Sequence, residues 1–319
     1  QIWNYGVGPS AGEIIGDPDE GKQIDLLADS VIGEYGSEPG HFNWPRGVSV
    51  AEDGSIYIAD TDYHRILHLD SNGSVLHIWG SFADSSVGEA PGGTFYEPWG
   101  IGIGPDGSVY VADTWNHRIQ KFTPDGIFLN SWGYFGQAES MYALWGPRDV
   151  YVDEEGKIFV SDTGNKRILV YDQGGNAITE FGQAGFALGE FDEPIGISSS
   201  ETGQLFIADT WNQRIQEFIP VGEDEYQAVN SWDVIGWYGQ SLDNKPFLTI
   251  DSKNRLFATD PESYRVLVFS LGGEIIGYIG DLSTGVDGFN LVGGITADTE
   301  DGIWVSDTGN NRIMHFVLP

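Results

Sequence analysis

The sequence has no cysteine, only two methionines and few cations: 15 Lys and Arg side chains stand against 48 Asp and Glu, which gives a formal net charge of −33. The absence of cysteine excludes disulfides and thiol chemistry, but it does not indicate a compartment. No run of 18 apolar residues occurs, so the sequence predicts no membrane-spanning helix. It also lacks a G-x-S-x-G element and a phosphate-binding loop.

The shortage of cations weighs against nucleic acid as a partner. A strongly acidic surface repels phosphate backbones, and counterion release would oppose binding rather than drive it. Acidity of this degree suits a secreted or surface-exposed bacterial protein or one in a salty milieu, although many acidic proteins are cytosolic. We therefore expect an extracellular or cell-surface location and no nucleic-acid partner.

The sequence does contain a short signature that is repeated six times. It reads Asp-Thr-x-Asn-x-Arg-Ile with small variations, and successive copies are 53, 49, 47, 51 and 47 residues apart. The copies begin at Asp60, Asp113, Asp162, Asp209, Asp260 and Asp307. Such a period predicts a repeat architecture in which each unit buries its faces against its neighbours.

Each unit has the pattern of four antiparallel strands. A loop, in five units containing proline, precedes the first apolar run, a turn leads to the run that ends in the signature, and two further runs follow. The runs are nearly continuous in apolar residues, as expected for sheets that are covered on both faces. Six such sheets arranged radially form an all-β, six-bladed β-propeller.

The ends of the chain indicate how the ring closes. The sixth unit stops at Pro319 after its third strand, and a segment with the features of a fourth strand lies before the first unit, at residues 30–36. We predict that this N-terminal strand completes the last blade and leaves no unpaired seam. Residues 30–319 then form one propeller domain, and residues 1–29 form an N-terminal arm or linker.

The arm is rich in glycine, proline and acidic residues but carries Trp3 and Tyr5 near its start. A disordered tail rarely has such a cluster, so we expect the arm to dock on the propeller or on a neighbouring copy. Docking on a copy would link subunits into an oligomer or a filament. The chain begins with Gln1 and shows no secretory leader, which we interpret as a processed end or a cut from a longer protein.

The repeated pattern P-x-G-[VI]-x-[VI]…G-x-[IV]-[YF]-[VI]-[AS]-D-T-x-N-x-R-I closely resembles the NHL repeat family of six-bladed propellers, over residues 30–319. The resemblance implies the fold. It does not imply a single function, because NHL propellers include RNA binders, protein-binding modules and a few enzymes.

Six copies of one signature indicate a structural role, because a catalytic site is normally needed once. We expect each Asp to accept backbone N–H groups from the turn that follows, each Asn to adopt the left-handed conformation of that turn, and each Arg to donate to a carboxylate or to turn carbonyls. The signature arginines are Arg65, Arg118, Arg167, Arg214, Arg265 and Arg312. The first turn, with Tyr63 in place of Asn, and the fifth, with Pro261 and Ser263 in place of Thr and Asn, should be less regular.

Function should then lie where the copies differ. The residues that begin the inner strands should ring one mouth of the central channel, and they are Arg46, Trp99, Arg148, Ile195, Phe247 and Val292. Arg46 and Arg148 are two of only three arginines outside the signature, and Asp149 replaces the usual Gly. Around Trp99 they predict a polar, half-aromatic pocket for a carboxylate, a sugar or a peptide terminus. The alternative is that the arginines only offset nearby acidic side chains.

Two signature turns carry a tryptophan at the tip, Trp115 and Trp211. A tryptophan at such a position is costly to expose. It therefore either folds onto a neighbouring long loop or serves as a platform for a sugar ring or a protein partner.

An enzymatic function is the alternative class, since some NHL and related propellers are metal-dependent lyases or lactone hydrolases with His or acidic residues in the channel. No His begins an inner strand here, which leaves a cluster of His41, His64 and His117 as the candidate metal site. We interpret the chain instead as a non-enzymatic scaffold without cofactor or metal. It would bind a protein, a glycan or another copy of itself through one face and the N-terminal arm.

Overall fold

The computed structural model describes residue 19, residues 21–237 and residues 244–319. These residues form six four-stranded antiparallel sheets, and their inner strands contact one another in a closed cycle. The predicted all-β, six-bladed propeller is therefore confirmed. A short parallel pair, β10 (Tyr134–Phe135) and β11 (Ala143–Leu144), lies in the loop between the second and third blades.

The strands follow one another in chain order, from the channel outward in each blade. Blades one and two comprise β2 (Pro45–Val50), β3 (Ile56–Asp60), β4 (Arg65–Leu69), β5 (Val75–Trp79), β6 (Pro98–Ile103), β7 (Val109–Asp113), β8 (Arg118–Phe122) and β9 (Phe128–Trp132). Blades three and four comprise β12 (Val150–Val152), β13 (Ile158–Asp162), β14 (Arg167–Tyr171), β15 (Ala177–Phe181), β16 (Pro194–Ser199), β17 (Leu205–Asp209), β18 (Arg214–Pro220) and β19 (Tyr226–Asp233). Blades five and six comprise β20 (Leu248–Ile250), β21 (Arg255–Asp260), β22 (Arg265–Ser270), β23 (Ile275–Ile279), β24 (Val292–Ala297), β25 (Gly302–Asp307) and β26 (Arg312–Val317).

Each signature forms a single 3-10 turn between the second and third strands of its blade. These turns are Thr61–Tyr63, Thr114–Asn116, Thr163–Asn165, Thr210–Asn212, Pro261–Ser263 and Thr308–Asn310. A further 3-10 turn, Ile235–Trp237, follows the last strand of blade four. The signature turns and the loops that join successive blades together build one face of the ring, which we call the loop face.

The ring closes as predicted, through an N-terminal strand on the last blade. Strand β1 (Ser30–Ile32) pairs antiparallel with β26, so that Ser30 lies opposite His315 and Ile32 opposite Ile313. The strand is shorter than the predicted segment, because Gly33 adopts a φ of +89° and turns the chain into the following loop.

The described part of the N-terminal arm docks on the propeller itself. The Ile24 N–H donates to the Tyr278 carbonyl at 2.8 Å, and the Tyr278 N–H donates to the Lys22 carbonyl at 3.1 Å, which extends blade five beyond β23. Ile24 and Leu26 pack against the apolar core between blades five and six. Trp3 and Tyr5, the predicted assembly residues, lie outside the described residues.

Among the described residues, the signature aspartates accept no backbone N–H from the turn that follows them, contrary to the sequence prediction. In five blades one carboxylate oxygen accepts an N–H from the loop 17 residues upstream, at 2.6–2.7 Å; the donors are Asn43, Tyr96, Trp145, Asp192 and Asn290. The other oxygen accepts from Nε of the signature arginine at 2.7–3.0 Å in all six blades. In these five blades the Asp–Arg pair therefore fastens the loop that enters the blade.

The left-handed residue of each turn is the one after the Asn position, which also differs from the prediction. These residues have φ between 52° and 59° and are His64, His117, Lys166, Gln213, Tyr264 and Asn311. The Asn side chain instead donates to the signature carboxylate at 2.8–3.0 Å in blades two, three, four and six. The turn of blade one has the same geometry as the others, because a backbone bond closes each turn and Asn is not needed for it. The turn of blade five is less regular, as predicted: its closing bond is 3.3 Å long, and Asp260 has a φ of −124° against −83° to −91° in the other blades.

The signature threonines join neighbouring blades, a role that the sequence analysis missed. Four of them donate a hydroxyl to the carbonyl of the proline that begins the next blade, at 2.7–2.9 Å. Thr308 makes this bond to Pro45 and so ties blade six to blade one. Thr210 is equally buried, but its hydroxyl has no hydrogen-bond partner among the described residues.

We expect the substitution Thr308→Val to lower the free energy of unfolding by about 1–2 kcal/mol, since it leaves the buried Pro45 carbonyl without its donor while keeping the side-chain shape. The matched substitution Thr210→Val removes a hydroxyl that makes no bond, so it should be neutral or stabilising. Urea unfolding of both variants measures the difference. Equal losses in the two variants would contradict a closing role for the Thr308 bond.

Candidate functional site

The residues that begin the inner strands meet at the loop-face mouth of the channel. Trp99, Ile195, Phe247 and Val292 pack into one apolar cluster, and none of them is more than 5 % exposed. Their own side chains therefore fill this mouth. We call these four residues, with Arg46 and Arg148, the channel plug.

Both predicted arginines stack on Trp99. The guanidinium carbon of Arg46 lies 4.0 Å from the centre of the Trp99 ring, and that of Arg148 lies 4.5 Å away. Both arginines are at least nine-tenths buried. At such distances, and largely removed from water, each cation is stabilised by the aromatic quadrupole by about 2 kcal/mol.

A third buried cation, Lys245, completes the group and was missed in the sequence analysis. Its ammonium lies 3.1 Å from the Glu193 carboxylate, which also lies 3.9 Å from Arg148. Burial lowers the pKa of Lys245, while Glu193 partly restores it. The sequence does contain a feature that could have indicated this pair. The residue before the proline at the start of the inner strand is Glu in blades two and four and Lys in blade five.

The two turn-tip tryptophans cover this charged group. The Trp115 indole N–H donates to Glu97 at 2.8 Å, and its ring lies 5.9 Å from Arg148. The ring of Trp211 lies 4.9 Å from the Lys245 ammonium and remains 45 % exposed. The structure thus brings Arg46, Trp99, Arg148, Trp115 and Trp211 into one region, with Trp211 as its most accessible member.

Asp149 lies deeper in the channel wall. One carboxylate oxygen accepts the N–H of Val150 and the other accepts the N–H of Ile197, both at 2.9 Å. The second bond joins blade three to blade four. Burial raises the pKa of Asp149 to about 7, against the effect of these two bonds.

This pKa predicts how stability depends on pH. The Asp149 carboxyl titrates near pH 4 in the unfolded chain and near pH 7 in the folded one, so the folded state holds the proton more tightly. The stabilisation that this group contributes is therefore lost as the pH rises from 4 to 7. We expect Asp149→Asn to reduce this decline in the free energy of unfolding by about 2–4 kcal/mol. Denaturant unfolding at pH 4.5 and pH 7.5 measures it, with the exposed Asp233→Asn as control. An unchanged decline would contradict the assignment.

Aromatic side chains continue outward from the plug over the loop face. Phe82 packs against His64 and Tyr96, with ring centres 4.9 and 5.2 Å away. In the equivalent place of the next blade junction, Phe135 lies 4.8 Å from His117 and 6.1 Å from Trp145. The Trp115 N–H donates to the Tyr96 carbonyl and so connects the two groups. We call these six residues the aromatic surface: His64, Phe82, Tyr96, His117, Phe135 and Trp145.

The histidines of this surface have structural partners. Nδ1 of His64 accepts the Glu97 N–H at 3.1 Å, and Nδ1 of His117 accepts the Gly146 N–H at 3.0 Å. Burial lowers the pKa of both rings, so they are neutral acceptors near pH 7. His41 lies on a different loop, with Nε2 3.5 Å from Glu34. The three histidines considered as a metal cluster thus have separate roles.

The channel opens toward the opposite face, which is built by the turns between the first and second strands of each blade. We call it the turn face. A central cavity of about 130 Å³ between the inner strands adjoins two larger cavities of about 390 and 760 Å³. Tyr151 lines all three.

Within residues 21–237 and 244–319, no three His, Asp or Glu side chains are grouped as a metal ion would require. The same part of the chain has no helix with the length and hydropathy needed to cross a bilayer.

Comparison with known proteins agrees with the repeat pattern. The NHL repeat model matches residues 42–69, 95–122, 144–171 and 191–218, which lie in blades one to four. The B-box type zinc finger protein ncl-1 of Caenorhabditis elegans is 28 % identical over 183 residues, which is 52 % of this chain and 20 % of that protein. The chain spans only 10–20 % of the length of the curated relatives it matches.

Solved structures share the fold at low identity. A virginiamycin B lyase from Staphylococcus aureus superimposes with a TM-score of 0.58 at 15 % identity, covering 92 % of this chain and 98 % of the lyase. A gluconolactonase from Xanthomonas campestris gives 0.63 at 14 % identity, covering 93 % and 98 %. At these identities the likeness concerns the fold alone. The chain is therefore a six-bladed β-propeller with NHL repeats in its first four blades.

Proposed function

We propose that this propeller is a non-enzymatic interaction scaffold that binds a protein partner through the aromatic surface of its loop face. The observation that carries the proposal is the exposure of Phe82, Phe135 and Trp145, which are 57 %, 55 % and 41 % accessible although they are large and apolar. Aromatic side chains of this kind supply most of the binding energy at protein interfaces.

The aromatic surface is held in place before any partner arrives. A backbone bridge pairs Phe82 with Phe95, and strands β10 and β11 pair Phe135 with Leu144. The two histidines fix the same loops through the Glu97 and Gly146 amides. Because these bonds fix the backbone of the loops, binding at this surface requires little ordering of the loops.

A glycan and a second copy of the chain are the two alternative occupants of this surface. The proposal also includes a location outside the cell or at its surface. The high negative charge favours a partner with a basic rim and opposes the association of two copies of the chain. The described arm lies on its own blade five, so self-association would use the loop face or residues before Asp19.

The test compares the double variant Phe82→Ala/Phe135→Ala with the control Leu76→Ala/Leu129→Ala. The control removes two equally exposed apolar side chains from the outer strands β5 and β9. Crosslinked partners of the native protein are identified by mass spectrometry, purified, and titrated against each variant. We expect the loop-face variant to weaken binding at least tenfold and the control to leave it unchanged.

Equal binding by both variants would reject the aromatic surface as the interface. Light scattering of the purified chain shows whether the partner is a second copy. Elemental analysis, followed by assays with lactone and peptide substrates, tests the alternative function, a metal-dependent hydrolase or lyase with its site at the channel. A stoichiometric metal together with turnover would reject the scaffold.

A further inference from the structure

We propose that the 390 Å³ cavity on the turn face binds a small organic cation, an amine carried on an apolar or aromatic body. The cavity lies between blades one, two and three, and we call it the His68 cavity. Its volume falls within the range of small-molecule sites in proteins, about 300–1,000 Å³. The proposal does not depend on the loop-face interface, which lies at the other end of the channel.

The walls of the His68 cavity are mainly apolar and aromatic. They include Val50, Ile103, Pro105, Pro124, Tyr57 and Tyr151. The Tyr57 hydroxyl donates to the Pro124 carbonyl at 3.2 Å, and the Tyr151 hydroxyl is 2.8 Å from Ser199 Oγ. These bonds hold both rings in place. Fixed aromatic walls attract organic cations, because the ring quadrupole favours positive charge near its face.

His68 is a buried part of this wall. Its ring is 93 % buried and stacks on Tyr57 with ring centres 4.0 Å apart. Burial and the neighbouring His77 lower the pKa of His68, while Asp53 and the Pro124 carbonyl raise it. A neutral ring adds no positive charge to the site.

The charge around the cavity selects the sign of the ligand. Glu52, Asp53, Asp153 and Glu154 line it, and no lysine or arginine is among the described residues of its wall. The neighbouring 760 Å³ cavity also contains acidic residues, but Lys157 lines it and lies 3.4 Å from Asp224. The His68 cavity is thus the more purely negative of the two and would repel carboxylates and phosphates.

The arrangement of these groups favours an amine over a hydrated metal ion. Glu52 and Glu154 are exposed at the rim, whereas the interior is formed by Tyr57, Ile103 and Val152. A ligand that fits both zones has an apolar body to bury and an ammonium to leave near the rim carboxylates.

The test is isothermal titration of the full chain with three probes that share one ring and differ in charge: 2-phenylethylamine, 2-phenylethanol and 3-phenylpropionate. Two variants address the site. Ala51→Phe fills the cavity, and Glu52→Gln/Glu154→Gln removes its rim charge. The matched control Glu201→Gln/Glu223→Gln removes the same charge from the neighbouring cavity. Circular dichroism and the unfolding midpoint confirm that each variant is folded.

We expect saturable, one-to-one binding of the amine, at least tenfold weaker binding of the alcohol, and none of the carboxylate. Ala51→Phe should abolish binding and the rim variant should weaken it at least fivefold, with the control within twofold of the native chain. Equal binding of the three probes, equal loss in the rim variant and its control, or no saturable binding of the amine would each overturn the proposal.

Discussion

The substitution Trp99→Ala is expected to lower the free energy of unfolding by about 3–5 kcal/mol. Trp99 is 1 % exposed and packs with Ile195, Phe247 and Val292 in the channel plug, so its removal opens a cavity where all six blades converge. It also removes the aromatic ring on which Arg46 and Arg148 stack, 4.0 and 4.5 Å away. Two largely buried cations would then lose a stabilising neighbour.

Trp211→Ala is the matched control, because it truncates the same side chain where it is 45 % exposed. We expect this variant to lose less than about 1.5 kcal/mol. Urea titration followed by tryptophan fluorescence and by circular dichroism measures both variants. A loss below about 1.5 kcal/mol for Trp99→Ala would show that the mouth is not sealed by this residue.

The second large effect is expected for Asp209→Asn, at about 3–5 kcal/mol. The Asp209 carboxylate is fully buried and accepts hydrogen bonds from four donors at 2.7–2.9 Å, namely the Asp192 N–H and the side chains of Asn212, Arg214 and Gln216. An amide would turn its own N–H groups toward some of these donors. It would also leave the Arg214 guanidinium without its carboxylate.

Asn212→Ala provides a graded comparison, since it removes one donor and keeps the carboxylate and the ion pair. Its expected loss is about 1 kcal/mol. Blade five already has Ser263 at this position, and a 3-10 turn still forms there. Chemical unfolding of both variants gives the two values. Equal losses for Asp209→Asn and Asn212→Ala would mean that the Asp–Arg pair itself contributes little.

The two ends of the channel differ in kind. At the loop face the inner-strand starts are large or cationic and fill the mouth, and the exposed aromatic side chains lie beside it. At the turn face the inner strands end in smaller side chains, and the cavities remain open between acidic turns. This asymmetry is the reason to assign macromolecular binding to one face and a small cation to the other.

The architecture of the propeller could be predicted from the amino-acid sequence alone. The spacing of the six signatures, the continuous apolar runs and the displaced fourth strand were sufficient to predict six blades and the closure of the last blade by β1. These features are local and periodic, so the secondary structure of each unit can be predicted from the sequence of that unit alone.

The contacts of the signature and site residues could not be predicted in this way, because they depend on how the blades pack together. The signature Asp binds a loop 17 residues upstream, Thr308 bonds to Pro45 at the other end of the chain, and Lys245 reaches Glu193 in the preceding blade. Such partners depend on the radius of the ring and on the packing of one blade against the next. The local sequence pattern predicts neither the ring radius nor the packing between blades. The buried channel plug, the role of Lys245 and the His68 cavity were therefore found only in the folded structure.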